Sequence, residues 1–168
     1  VNCKNYADII GSPTASYAVG GIVGMLGTDA NIHSCANVGD VSGNKIIGGV
    51  IGDTATKIQE MKNLYNKGNV TASTNYVGGI VGRLYVTLEN AYNTGKVSIT
   101  SSNTTSGGMV GSLNTSVDSI KNCYYLDTSA EKAIGNNITV DITSSKTSEE
   151  IKNLADILGD AFKNSNEG

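Results

Sequence analysis

Tryptophan is absent from this 168-residue chain, and proline, phenylalanine, histidine and arginine each occur once. Charged residues make up only 16% against 39% apolar, which excludes a charge-rich disordered tail, and the composition is not the Ala, Glu, Lys and Leu mixture of a coiled coil. No uninterrupted apolar run approaches the roughly 18 residues of a membrane span, so no membrane insertion is expected. The net charge is -3. Without a basic excess to attract phosphate backbones, nucleic acid is not an expected partner. Eight acidic and eight basic residues balance across 1–127, so the acidity belongs to 128–168. No signal-like segment opens the chain, and any export signal is expected upstream of Val1.

The scarcity extends to catalytic groups. His33 is the single histidine, so a His-Glu-x-x-His zinc-protease centre is missing; no Gly-x-Ser-x-Gly nucleophile elbow occurs, and a serine nucleophile would need a histidine that only His33 could supply. Cys3, Cys35 and Cys123 form no Cys-x-x-Cys pair, and zinc needs four clustered ligands. They read as buried small hydrophobes. Arg83 is the lone arginine, and Asp40, Glu60 and Glu89 show no dense acidic cluster, unlike the charged face of a polysaccharide-cleaving solenoid. No Gly-Lys-Ser/Thr phosphate cradle occurs, and Thr54, Thr56, Thr71 and Thr100 do not align into an ice-binding array. The sequons at Asn69, Asn103, Asn114 and Asn137 are what chance supplies in a chain this rich in Asn, Ser and Thr. The expectation is therefore a protein that is not an enzyme, with no catalytic residue, cofactor or metal ligand, and with no ligand-binding residue assigned.

What the chain has in abundance is Gly, Asn, Ser and Thr, together 73 of its residues, and they are arranged as a repeat. Gly20-Gly21-Ile22-Val23-Gly24 returns as Gly48-Gly49-Val50-Ile51-Gly52, Gly78-Gly79-Ile80-Val81-Gly82 and Gly107-Gly108-Met109-Val110-Gly111, at intervals of 28, 30 and 29 residues. A weaker echo is Ala133-Ile134-Gly135. Between pentads lies a second motif, Ile32 to Val41, Met61 to Val70 and Leu88 to Val97, with partial copies at Asn2 to Ile9 and Ile120 to Tyr125. Superposition yields columns: Cys3, Cys35, Leu64, Ala91 and Cys123; Ile32, Met61, Leu88 and Ile120; Ile9, Val41, Val70 and Val97; and the Ile/Val pairs of the pentads. Each repeat then has three short apolar segments divided by turn residues, without a helical period.

Such a unit cannot bury its own apolar side, so copies must stack, with parallel strands roughly 4.8 Å apart and ladders of like residues inside. The predicted fold is all-β: a parallel β-solenoid of about four coils of 28–30 residues, triangular in section. The double glycines permit either a positive φ at a corner or close approach of neighbouring coils. Asn5, Asn37, Asn66 and Asn93 form a column expected to be an inward or corner amide ladder. Tyr65, Tyr92 and Tyr124 also align, as packing beside the rod or as an aromatic strip for sugar rings, with packing preferred. Cys3 and Cys35 fall on adjacent coils, near the lower edge of disulfide spacing, where a bridge would strain the ladder. A calcium-binding solenoid needs Asp after each pentad, but beside Asp53 stand Met25, Arg83 and Ser112.

The pentads and their Asn-x-Gly-x-Val companions, over residues 1–127, resemble the GLUG repeat of secreted or wall-attached bacterial proteins, among them adhesin-like proteins and non-catalytic N-terminal regions of IgA-specific metalloproteases. The resemblance implies an extracellular or cell-surface location and a non-catalytic structural or adhesive segment of a longer chain. Its partners would be flanking domains and a host glycan or extracellular protein. The alternative is an accessory, substrate-positioning region of a secreted metalloprotease or carbohydrate-active enzyme. No catalytic residue carries over. The first copy departs from the motif with Ala7 in the glycine place and an insertion around Pro13, the mark of an edge coil.

Beyond Asp127, over 128–168, the period fades. Ile138, Val140 and Ile142 alternate as a last strand, and Thr147 to Glu150 forms a capping box before Ile151, Leu154, Ala155, Leu158 and Phe162 on one helical face. A helix over about 148–163 is predicted to pack as a cap on the final coil, followed by the start of a linker.

Overall fold

The computed structural model describes residues 2–101, 105–136 and 145–153. Within them the chain is a parallel β-solenoid of about four coils, and every strand pairing is parallel. The glycine pentads lie in one stripe: Gly20 opposes Gly48, Gly48 opposes Gly78, and Gly78 opposes Gly107. Equivalent residues of the second motif are likewise in register, as in Val41, Val70 and Val97.

Each complete coil contributes four strands, one more than the three apolar segments of the sequence predict, so the triangular section is corrected. The long sheet has six strands, Lys4–Asn5, Asn31–Asn37, Glu60–Asn66, Leu88–Asn93, Ile120–Leu126 and Ser145–Lys146. A second sheet stacks Ile9–Ile10, Val41–Gly43, Val70–Ala72 and Val97–Ile99. The third consists of Ala18–Gly20, Ile46–Gly48, Tyr76–Gly78 and Thr105–Gly107, and the fourth of Val23–Leu26, Ile51–Thr54, Val81–Leu84 and Val110–Leu113. The extra strand ends on the first glycine of the pentad, which therefore straddles a corner between two sheets.

The interior has two apolar compartments. One lies between the long and fourth sheets and is filled by Ile32, Met61, Leu88, Leu64, Ala91, Ile51, Val81 and Leu84. The other lies between the second and third sheets, around Val41, Val70, Val97, Ile47 and Val77. Each fully buried Val, Leu or Ile contributes about 1.5–3 kcal/mol relative to exposure. No single coil encloses these side chains, so the stacking itself is what removes them from water.

Glycine stands where the compartments meet because there is no room for a side chain. A Cβ on Gly49 would lie 2.1 Å from the Gly79 carbonyl oxygen and 2.4 Å from Cγ of Asn66. Of the two sequence-based reasons for these glycines, the structure selects close approach, since none of the pentad glycines takes a left-handed φ. The left-handed backbone falls instead on Ser34, Asn63, Asn90 and Asn122, at φ 51 to 55°. That kink places three residues' spacing, not two, between successive inward positions such as Ile32 and Cys35.

The chain after Leu126 closes the last coil. Ser145–Lys146 extends the long sheet, Ile134 bridges Val110, and Val97 donates its N–H to the Ser129 carbonyl at 2.9 Å. Tyr125 takes the place of asparagine in its column and packs on Gly108. The helix is described over Ser148–Lys152, with the capping box of Thr147 and Glu150 formed and no buried residue. The final long-sheet strand is thus covered by the added strand, with the helix directly after it. The strand expected at Ile138, Val140 and Ile142 lies outside the described residues. So do Leu154, Ala155, Leu158 and Phe162, the expected helix beyond 153, and the linker after it.

Candidate functional site

Two asparagine ladders run along the long sheet, one inside and one outside. The inner one is legible in the sequence as a column. Asn5 Nδ2 donates to Asn37 Oδ1, Asn37 to Asn66, and Asn66 to Asn93, each at 2.8 Å. The second amide proton of each goes to the carbonyl two residues on, from Asn5 to Ala7 and then to Gly39, Gly68 and Gly95, at 2.6 to 2.9 Å. Asn37, Asn66 and Asn93 have no exposed surface. Their amides satisfy one another head to tail, which is what makes burying them tolerable.

The outer ladder is one that the sequence reasoning misses. Asn122 Nδ2 donates to Asn90 Oδ1 and Asn90 Nδ2 to Asn63 Oδ1, both at 3.2 Å. Its signal is present in the chain: Asn precedes the small apolar column in three consecutive repeats, and Asn is the side-chain-bearing residue most at ease in the left-handed region.

Beside that ladder the outer face of the long sheet carries two more columns. His33, Lys62, Glu89 and Lys121 alternate with it on one side, and Tyr65, Tyr92 and Tyr124 on the other. Tyr65 and Tyr92 stack with ring centroids 5.1 Å apart and planes 7° from parallel. Lys67 stands 5.8 Å from the Tyr65 centroid and Lys146 stands 5.7 Å from that of Tyr124. Burial pushes the Tyr92 phenol well above its ordinary range, with the Tyr65 hydroxyl adding to it. Tyr65 and Tyr92 are packed face to face, which leaves less of either ring free for a sugar to stack on.

A groove of about 460 Å³ lies alongside, lined by Ile58, Glu60, Lys62, Val86, Glu89 and Thr115. Lys62 bonds Glu60 at 2.5 Å, and this contact lowers the Glu60 carboxyl and raises the Lys62 ammonium. A carboxyl held ionised in this way is unsuited to the role of glycosidic general acid, which must keep its proton near neutral pH. Elsewhere, Arg83 binds Asp53 across the fourth sheet through two hydrogen bonds, Nε to Oδ1 at 3.0 Å and Nη2 to Oδ2, and lies over the Tyr85 ring at 5.5 Å. Hydrogen bonding to Asp53 raises the guanidinium pKa further. The acidic residue that fits the calcium pattern and the basic one that breaks it are thus partners.

The cysteines occupy their column. None is in a disulfide. Burial raises the Cys123 thiol to about 12. Among the described residues no three His, Cys, Asp or Glu side chains converge on a metal-sized site, and no helix is long and apolar enough to cross a membrane. No known protein family, curated protein or solved structure matches the chain. The fold therefore stands on its own geometry, and the class it defines is the parallel β-solenoid.

Proposed function

We propose that this chain is a non-catalytic repeat segment of a larger secreted or cell-surface bacterial protein, acting as a spacer or adhesive surface between flanking domains. One observation carries the reading: the conspicuous polar residues of the repeat, the inner asparagines, are spent on holding coil to coil. Repetition of this kind builds length and stiffness, the properties of a spacer. Such a segment would place its neighbours apart along the stacking axis at roughly 4.8 Å per coil.

A second reading, an accessory region that positions substrate for a catalytic domain, is favoured by the charged groove at Glu60, Lys62 and Glu89. A single set of assays tests whether the segment binds at all. The isolated chain is presented to glycans, to extracellular matrix proteins and to polysaccharide substrates. Saturable binding lost in Lys62→Ala marks an adhesive or positioning surface, and uniform absence of binding marks a spacer. Turnover of any substrate by the isolated chain overturns the non-catalytic assignment.

A further inference from the structure

The first coil is the least enclosed part of the solenoid. Its strands on the long and second sheets are only two residues each, Lys4–Asn5 and Ile9–Ile10. The large apolar side chains exposed among the described residues, Tyr6, Ile10, Tyr17 and Met25, all belong to it. At this open end Cys3 and Cys35 share the innermost small column of the long sheet. Lys4 opposes Ala36 in register, and the Ala36 N–H donates to the Cys3 carbonyl at 2.8 Å. The two cysteines are therefore directly opposed on adjacent strands, with the Cys35 thiol donating to the His33 carbonyl at 3.3 Å. Cys3 is half-buried while Cys35 is 1% exposed, and both line an apolar recess with Ile22, Val23, Leu26 and Ile32.

We propose that Cys3 and Cys35 are a modification site: a dithiol that closes to a disulfide by exchange with a small-molecule disulfide, stapling the edge coil to the second. Cys3 is the sulfur a reagent reaches first. Having lost its proton to solvent, it attacks one sulfur of the reagent and expels one thiolate, leaving a mixed disulfide on Cys3. Cys35 then loses its proton and attacks the Cys3 sulfur, expelling the second thiolate. Two protein thiols are oxidised and one small disulfide is reduced to two thiols, which balances.

Adjacent parallel strands put Cα atoms at roughly 4.8 Å, inside the 4.4–6.8 Å range of disulfides. The strain expected of a bridge inside the ladder has an outlet here. Cys3 precedes the first strand and belongs to the edge coil, so it moves without disturbing a ladder on both sides. Cys123 differs on both counts, being enclosed and opposed by Ala91.

The test is incubation of the folded full chain with oxidised glutathione. Thiol titration after denaturation should fall from three cysteine thiols to one. Chymotrypsin cuts after exposed Tyr6, and the released N-terminal peptide should stay attached to the peptide bearing Cys35 until a reductant is added. Cys35→Ala, in a column that already accepts Ala91, should trap glutathione on Cys3 instead of forming a bridge. Three titratable thiols after incubation, a stable glutathione adduct on Cys3 in the parent chain, or a bridge mapped to Cys123 would each overturn the proposal.

Discussion

Replacing Asn66 with alanine removes the middle link of the inner ladder. Its side chain accepts from Asn37 and donates to Asn93 and to the Gly68 carbonyl, all at 2.7 to 2.8 Å and without exposure. After truncation one Asn37 N–H has no partner and no water at hand, at a cost of about 1–3 kcal/mol. The Gly68 and Asn93 oxygens each lose a bond, at about 0.5–1.5 kcal/mol apiece. The total falls between about 2 and 6 kcal/mol, a large part of the roughly 5–15 kcal/mol that stabilises an ordinary domain. In urea unfolding, a loss of about 3 kcal/mol moves the midpoint down by about 1–3 M for an m-value of 1–3 kcal/mol/M. The control is Asn69→Ala, an exposed asparagine bonded to Asp40 and to the Lys96 N–H, where less than about 1 kcal/mol is expected. Asn66→Asp sharpens the test. A carboxylate there faces the Asn93 and Gly68 oxygens, so its folded pKa rises above the unfolded value of about 3.9 and the folded state holds its proton longer. Stability of that variant should fall as pH climbs from about 4 through the folded pKa, the reverse of an ordinary surface carboxylate. Equal midpoint shifts for Asn66→Ala and Asn69→Ala would refute the ladder as a source of stability.

Gly68→Ala should cost at least about 3 kcal/mol, because its Cβ would lie 1.9 Å from the Gly39 carbonyl, whereas Gly27→Ala has nothing within 4 Å and should be near neutral; paired thermal melts decide it. Arg83→Met leaves Asp53 buried and unpaired and should cost about 3 kcal/mol near neutral pH, with Asp53→Asn in the same chain recovering most of the loss; full additivity of the two would contradict the pairing. Tyr92 keeps its proton in the folded state above the ordinary phenol range, so its contribution is complete below about pH 10 and is lost as pH rises towards the folded value. Tyr92→Phe should therefore shift alkaline unfolding to higher pH, and an unchanged midpoint would show that the phenol is not held.

The parallel fold and most inner columns are legible because the repeat prints each of them several times. A position that reads Ile32, Met61, Leu88 and Ile120 needs no knowledge of its neighbours to be placed inside. The inner asparagines are legible for the same reason. The strand before each pentad escapes because its column, Val19, Ile47, Val77 and Ser106, weakens to a polar residue and runs straight into glycines that read as a turn. The left-handed kink at Asn63, Asn90 and Asn122 is invisible to a period-two reading, since it is what breaks the period. Tyr125 ends the ladder where a fourth buried asparagine would need an onward acceptor, and a sequence column shows the substitution without the geometry that motivates it. On the outer face, the contact between Lys62 and Glu60 depends on rotamers that spacing alone does not specify.

The solenoid is built of windows of about thirty residues lying one above the next in parallel, as in the pairing of Val41 with Val70 and of Val70 with Val97. Nuclear Overhauser contacts between backbone protons measure this directly. The prediction is a continuous set linking each strand residue to its counterpart in the next repeat, with side-chain amide contacts from Asn37 to Asn66 and from Asn66 to Asn93. A hairpin pattern, with contacts running in opposite directions between sequence-adjacent strands, would contradict it.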